Sequence, residues 1–534
     1  MPSTAHYRLR QKDSEGHCRC SDHTGPPGIG WPNQARSYTA RCRDLGWAAE
    51  GDEHTVTVPA GTFHASTLAA ANTLALNSAR QQAQALLSCD EMLISTAGPG
   101  GCTKVKCIEE GRPVAIGGWK AMTIYHSNAP QEDFWSVMMM RLNVDGTFDY
   151  DFRTFLDVPL CKSDGELIVL EDLGIGEGAG QLHDFAVDAG GNIIVVGDFY
   201  MLVSGVVYNG VARFSSAGVW DPTFLCRFSA SGDLGSASVR TVQVINATSI
   251  IFAGIFTHYA KAGGGFGVAI NLVNVDQNRT ALYAAQITTV YFTLWNVWCS
   301  CFSQGRLYLG TENPGFEFGG GSGPPPSDLN VAGGGVFKIE LNGSGRVTGY
   351  RCVTTIPFFG ENHYGRVLSL DMDRSGNLYA VGLIGAIGRV PILSGYYSNE
   401  VARVNTFKIS ATGTVDTVWK PRIYLPDFPF GISQIRVLPD RGLMVAGGGF
   451  YMVVAGNDPI NARSIARFNP SGVLIGSTPE GMIQGPIQVF DLSTDGYVYV
   501  VAGYAIGTGG IFGIGSIIQR FHLDQFSPDT VDNE

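Results

Sequence analysis

An all-β repeat fold is what this sequence predicts, and three observations predict it. An apolar β-run ending in glycine recurs seven times, as PVAIGGW (113–119), IIVVGDF (193–199), IIFAGIF (250–256), RLYLGTE (306–312), NLYAVGL (377–383), GLMVAGG (442–448) and YVYVVAG (497–503). Each run is preceded by another strand-like segment and a tight turn rich in Asp, Gly, Asn or Ser, as in FAVDAGGNIIVVG (185–197) and SLDMDRSGNLYAVG (369–382). Those residues accept positive φ or hydrogen-bond the local backbone, which is hairpin chemistry. After a variable gap comes a second hairpin, as in MMMRLNVDGTFDYDF (138–152), VARFSSAGVWDPTF (211–224) and TFKISATGTVDTVW (406–419).

Two successive hairpins make a four-stranded antiparallel meander, the unit of a β-propeller blade. Seven such units fit between about 104 and 526, so the expected fold is a seven-bladed β-propeller of four-stranded antiparallel blades, with a small N-terminal α+β region. The second strand of each unit is almost uniformly apolar and does not alternate, the pattern of a strand buried on both faces. Stacking blade on blade would bury it so. The closing glycine fits close approach of a neighbouring backbone. Spacings of 56 to 80 residues between the glycines are too long and irregular for a β-helix.

The domain reading follows. Residues 1–37 form an arm, 38–100 a small α+β domain with an Ala-rich helix, 104–526 the propeller and 527–534 a tail. Within the small domain TVTVPAG reads as β, and 66–87 as a helix with Leu68, Ala71, Ala75, Leu76, Ala79, Ala83 and Leu86 at helical spacing and Ser66 as N-cap.

Composition bounds the function. Apolar residues are 45% and charged residues 16% of the chain, enough for a large core. A formal charge of −11 argues against nucleic acid as a partner. The sequence has no apolar stretch long enough to span a bilayer, and MPSTAHYRLRQKDSEG carries no secretory signal, so no membrane insertion is expected. Of the eleven cysteines, Cys42 and Cys89 bracket one compact segment and are the disulfide candidate; those scattered through the repeats read as small buried hydrophobes.

Chemical motifs are weak. His17, Cys18, Cys20 and His23 are zinc-ligand types within seven residues, but their spacing matches no finger, so no metal and no cofactor is expected. Asp371, Asp373 and Ser375 resemble the start of a calcium loop, yet the later bidentate carboxylate is missing and a hairpin turn is expected. Hydrolase elbows, zincin helices and phosphate loops do not occur, and no paired carboxylates can be assigned. The chain therefore reads as a non-enzymatic binding or structural protein.

Loop length points to the binding face. Turns inside each hairpin are short, whereas connections between hairpins and between blades are long, at 119–136, 153–181, 198–209, 257–267, 311–335, 383–400, 420–432 and 449–463. In a propeller these emerge on one face, and variable loops on a rigid scaffold are the usual home of recognition. Their aromatics, Trp119, Tyr125, Trp135, Tyr200, Tyr259, Phe316, Phe318, Tyr396, Tyr397 and Tyr451, suit protein or sugar surfaces or else pack the loops down.

The second-hairpin signature resembles the "delta sixty" type of propeller repeat: a glycine-ended strand, then Ala-Arg-Phe/Leu-Asn, then Gly-x-x-Asp-x-x-Phe. Asp149/Phe152, Asp221/Phe224 and Asp416/Trp419 match its closing pair, while 239–285, 295–351 and 487–526 lack it. That resemblance implies the propeller fold and extracellular or surface-exposed binding. Residues 38–89, with Tyr-x-Ala-x-Cys, VTVPAGTF and an Ala-rich helix ending in Cys, resemble a short domain of unknown function found in phage structural and bacterial surface proteins. The resemblance implies a virion component, tail- or surface-associated, mediating attachment or assembly. Its partners would be other virion or surface proteins and a host glycan or protein receptor. A bacterial cell-surface or secreted adhesion protein and a carbohydrate-active propeller enzyme are the alternatives.

Overall fold

A computed structural model describes residues 8–12, 18–22, 30–41, 48–51, 53–85, 89–97, 102–108, 112–119, 121–126, 132–134, 137–144, 146–169, 180–230, 237–261, 265–284, 296–312, 332–357, 366–383, 406–416, 418–419, 421, 423–424, 432–447, 450–452, 460–462, 465–477, 487–494, 496–508 and 511–523. The chain divides into two compact units, Met1–Leu45 with Ala49–Glu91, and Gly46–Ala48 with Met92–Glu534.

In the smaller unit Arg36–Arg41 pairs antiparallel with Glu53–Val58, and the helix Leu68–Ala85 packs on them. Ala71, Ala75, Ala79 and Ala83 recur every fourth residue and are all fully buried, so the helix lies close on its sheet along an alanine stripe. Leu68 and Leu76, expected on the same stripe, are instead exposed. The N-cap is Thr67 rather than Ser66: its Oγ1 accepts from the Ala70 amide at 3.1 Å.

The larger unit repeats one antiparallel sheet, and the described strands group in chain order as follows. Sheet 1 is Cys102–Cys107, Pro113–Gly117 and Met139–Arg141; sheet 2 is Gln181–Val187, Ile193–Val203 and Val206–Phe214. Sheet 3 is Ser238–Asn246, Ser249–Ile255, Leu272–Val275 and Ala281–Ala284; sheet 4 is Asn296–Ser303, Arg306–Glu312, Ala332–Leu341 and Val347–Pro357. Sheet 5 is Arg366–Met372, Leu378–Leu383 and Thr406–Ile409; sheet 6 is Ile432–Val437, Leu443–Gly447, Ile465–Phe468 and Leu474–Ser477. Sheet 7 is Ile487–Leu492, Tyr497–Thr508 and Ile511–His522. In sheets 1, 2 and 5 the fourth strand shrinks to a single bridge, Leu142 to Phe148, Phe214 to Trp220 and Ile409 to Val415.

The sheets close into a ring. Val114 and Ile116 of sheet 1 pack with Phe185 and Val195 of sheet 2, whose Ile194 and Val196 turn to the other side and meet Val242 and Phe252 of sheet 3. The same alternation carries the core onward through Ile251 with Leu309, Tyr308 with Leu370, Tyr379 with Ile435, and Met444 with Phe490. Tyr499 and Val501 of sheet 7 then meet Val105 and Ala115 of sheet 1. A second strand buried on both faces explains the non-alternating apolar runs. The first strands of successive sheets contact one another around the whole ring and so line its axis. This is a β-propeller.

Its seam was not anticipated. The fourth strand of sheet 7 comes from Cys89–Ala97, with Ser516 opposite Thr96, Ile517 opposite Ser95 and Ile518 opposite Ile94. Residues 92–97 therefore belong to the propeller rather than to the small domain expected to extend to residue 100.

Several connections expected to be irregular are paired. Residues 198–209 continue the sheet 2 hairpin, with Leu160–Cys161 alongside. Within 257–267, His258–Ala260 pairs with Phe228–Ser229 and with Phe266–Val268, and Ile423–Tyr424, Phe450–Met452 and Ile460–Ala462 make another small sheet. Connections that leave the scaffold side by side satisfy their amides and carbonyls by pairing.

Candidate functional site

The strand-ending glycines build the site. Opposite the closing glycine in sheets 1 to 6, and opposite Ala502 in sheet 7, the first strand carries one extra residue: Thr103, His183, Arg240, Trp298, Leu368, Ser433 and Gln488 in sheets 1 to 7. A β-bulge bends the strand and re-aims a side chain. The glycine makes room for it, because a Cβ on Gly197 would lie 2.1 Å from the Gln181 carbonyl oxygen, and one on Gly382 2.0 Å from that of Arg366. At Gly197, Gly254 and Gly382 the close approach expected for these glycines is thus the approach of a bulged inner strand. All seven bulge residues line one axial cavity of about 210 Å³, together with Lys104, Asp184, Cys299, Ser300, Ser369, Gln434 and Val489.

Around part of this cavity runs a linked cluster. His183 Nε2 donates to Asp198 Oδ2 at 2.7 Å, and its Nδ1 lies 3.4 Å from Arg240 Nη1. Burial holds the His183 imidazole below the usual histidine range, against the hydrogen bond to Asp198, so both contacts suit the neutral ring. The guanidiniums of Arg240 and Arg366 lie 4.8 and 4.0 Å from the Trp298 ring centre. Glu312 fixes this stack, accepting from Trp298 Nε1 and from Arg366 Nη2, each at 2.7 Å.

Deeper charges are committed to neighbouring sheets. Asp184 receives Lys106 Nζ at 2.7 Å, Thr241 Oγ1 at 2.8 Å and the Val242 amide at 3.3 Å. Burial pushes its carboxyl up, but Lys106 and Lys104 outweigh this and hold it below the usual range. Asp491 receives Arg436 Nε at 2.7 Å and the Cys107 amide at 2.8 Å, joining sheets 6, 7 and 1. Gln434 Oε1 accepts the Phe490 amide at 2.9 Å. Side chains that cap the next sheet's backbone hold the ring at fixed spacing. Asp184 is the one carboxylate among the described lining residues, with Asp198 and Glu312 bonded to the lining residues His183 and Trp298.

The aromatics singled out from loop position are not gathered at this site. Trp119 is fully buried in the core between sheets 7 and 1, and Tyr259 is buried against Phe228 with its hydroxyl donating to the Arg279 carbonyl at 2.6 Å. Both pack the scaffold because the segments carrying them return to the sheets. Tyr200 is half-buried in the sheet 2 hairpin. Tyr125 and Tyr451 lie on strands whose side chains are outside the described residues, as do Trp135, Phe316, Phe318, Tyr396 and Tyr397 altogether. Cys18, Cys20 and Cys89 lie on strands, but their side chains, and His17, His23 and Cys42 entirely, are outside the described residues. Asp373 makes an ordinary turn, accepting the Ser375 and Asn377 amides at 2.8 and 2.9 Å. Cys102, Cys161, Cys226, Cys299 and Cys301 are buried, whereas Cys352 is exposed.

The fold and its axial cavity define a single-chain β-propeller. No protein-family model matches the sequence, and no curated protein does. Among solved structures the chain is similar to the WD40 β-propeller domain of Doa1, at 8% identity over 71% of this chain and 97% of that one, with a TM-score of 0.29. It is also similar to YCF48 bound to D1 peptide (11%, 64% and 92%, TM-score 0.32). A third is the GH74 xyloglucanase from Xanthomonas campestris (12%, 82% and 68%, TM-score 0.34).

Proposed function

We propose that this chain is a non-enzymatic binding propeller with seven blades of the delta-sixty type, serving as a tail- or surface-associated virion component in attachment or assembly. One observation supports the non-enzymatic part: the described carboxylate that lines the axial cavity, and two bonded to its lining residues, sit in structural pairs. Asp184 is held by Lys106, Asp198 by His183, and Glu312 by Trp298 and Arg366. A glycosidase needs two carboxyl groups free to face a substrate. The virion setting is supported by the resemblance of residues 38–89, and the binding role by long connections raised as paired strands at the ends of a rigid ring.

Two measurements test this. Immunogold labelling with antibody to the propeller should decorate purified phage particles; labelling confined to bacterial envelopes would replace the virion reading with surface adhesion. The purified chain, incubated with host envelope polysaccharide, should bind it without releasing new reducing ends. Release of reducing ends that is lost in both Asp198→Asn and Glu312→Gln would overturn the non-enzymatic reading.

A further inference from the structure

The hydrogen-bond ledger of the axial cavity does not balance, and the imbalance has a sign. Gln434 is 2% exposed, and although its Oε1 is used by the Phe490 amide, its Nε2 has no partner. An amide donor left unmet at such a site is costly, typically by more than a satisfied bond contributes. Lys104 projects from sheet 1 onto the same cavity; it feels the charge of Asp184, which Lys106 already holds, and among the described residues it makes no contact hydrogen bond or ion pair. Arg240, from sheet 3, keeps Asp198 at only 3.7 Å, and its Nε is buried without a partner. Of the lining acceptors, Asp184 takes Lys106 and Thr241, Ser300 takes Gln243, and Gln488 Oε1 takes Ser516.

We infer that the axial cavity is a binding site for a small oxyanion, a carboxylate or phosphate group, received by Lys104, Gln434 and Arg240 from three different sheets. An oxyanion presents several acceptor lone pairs and a full negative charge, which matches two cations and an amide donor converging from separated directions. The cavity of about 210 Å³ has room for such a group with a few attached atoms. Around Lys104 the charged or titratable groups are Asp184, Lys106, Arg436 and Cys299. Burial holds its ammonium below the usual lysine range, Asp184 opposing this. This site goes beyond the attachment role, since it lies on the axis and uses none of the outer connections.

Calorimetric titration of the full chain with sodium phosphate and, separately, sodium acetate at constant ionic strength tests it. Saturable one-to-one binding of at least one anion is expected below about 20 mM, and the arm that saturates identifies the chemistry. Lys104→Met should weaken it ~10-fold or more, the loss of one charge-assisted contact. Gln434→Glu keeps the shape and the acceptor for the Phe490 amide while replacing the unmet donor with a carboxylate. It should abolish binding without lowering the melting temperature, and it decides the matter if Lys104→Met does not fold. Lys162→Gln, on an exposed pair, should bind as the parent does. No saturable binding of either anion, or binding unchanged in Gln434→Glu, would overturn the assignment and leave an adventitious ion only.

Discussion

Sheets 1, 2 and 5 finish their outer edges differently from sheets 3 and 4. In the first group a cation on the third strand reaches a carboxylate just beyond a turn: Arg141 Nη2 to Asp149 at 2.7 Å, Arg213 Nε to Asp221 at 2.8 Å, Lys408 to Asp416 at 3.2 Å. The guanidiniums lie over Phe152 at 4.3 Å and Phe224 at 4.4 Å, and the other carboxylate oxygen caps the backbone, as Asp221 Oδ1 does for the Thr223 amide at 2.9 Å. Sheets 3 and 4 have a genuine fourth strand instead, Ala281–Ala284 and Val347–Pro357. At the place of the cation they carry Asn274, which is buried and bonded to Ser249, and Lys338, which reaches Glu340 at 3.5 Å near the surface. One edge concentrates its stability in three side chains; the other spreads it along a ladder of backbone bonds.

Three changes probe that contrast. The largest loss is expected from Phe224→Ala, which empties a fully buried site and removes the platform under Arg213, about 3–5 kcal/mol. It is read as a lower denaturation midpoint with an unchanged slope. Next comes the carboxylate. Asp149→Ala strands Arg141, the two side chains being 11% and 12% exposed, and should cost ~2–4 kcal/mol. Glu340→Ala, on an edge where the partners are 43% and 59% exposed, should cost no more than ~1 kcal/mol. Equal losses for the two would erase the distinction between the edges.

The smallest effect is set by pH. Burial raises the Asp221 and Asp416 carboxyls, but hydrogen bonds from Thr223 and Arg213, and from the Trp419 and Val418 amides, outweigh it and hold both below the usual range. A carboxyl lowered on folding stabilises above its unfolded value of about 4, and that stabilisation fades as pH falls through the folded value. Hydrogen exchange below about pH 4 should therefore loosen 206–224 and 406–416 before 272–284 and 332–357. Simultaneous loosening would mean that the carboxylates do not hold those edges.

Much of this architecture was legible because hairpins are local. Turn residues and double-faced apolar runs announced the sheets, and Asp149, Asp221 and Asp416 announced the closing pairs. What stayed hidden is non-local. Thr103, His183, Arg240, Trp298, Leu368, Ser433 and Gln488 share no chemistry, only a register, so no residue pattern marks them. Those of sheets 1 to 6 could be found by reading across each hairpin from its closing glycine, once that glycine is understood as lying beside a bulge. Trp119 and Tyr259 misled because an aromatic in a long connection looks the same whether it faces a partner or folds back into the core. Lys104 and Gln434 gave no signal, since their isolation follows from which sheets face one another.

The strand that seals sheet 7 has a bearing on how the chain is made. Residues 92–97 leave the ribosome long before 511–522, and close by the Cys102 amide of sheet 1 meets Ser516 Oγ at 2.8 Å, 414 residues apart. At ~5–20 residues per second, the early strand waits on the order of 20–80 s for its neighbour. During that interval its edge is open to any other nascent copy offering a matching strand. Protection of that edge during synthesis, rather than the final strength of the ring, is what would govern the yield of correctly closed protein.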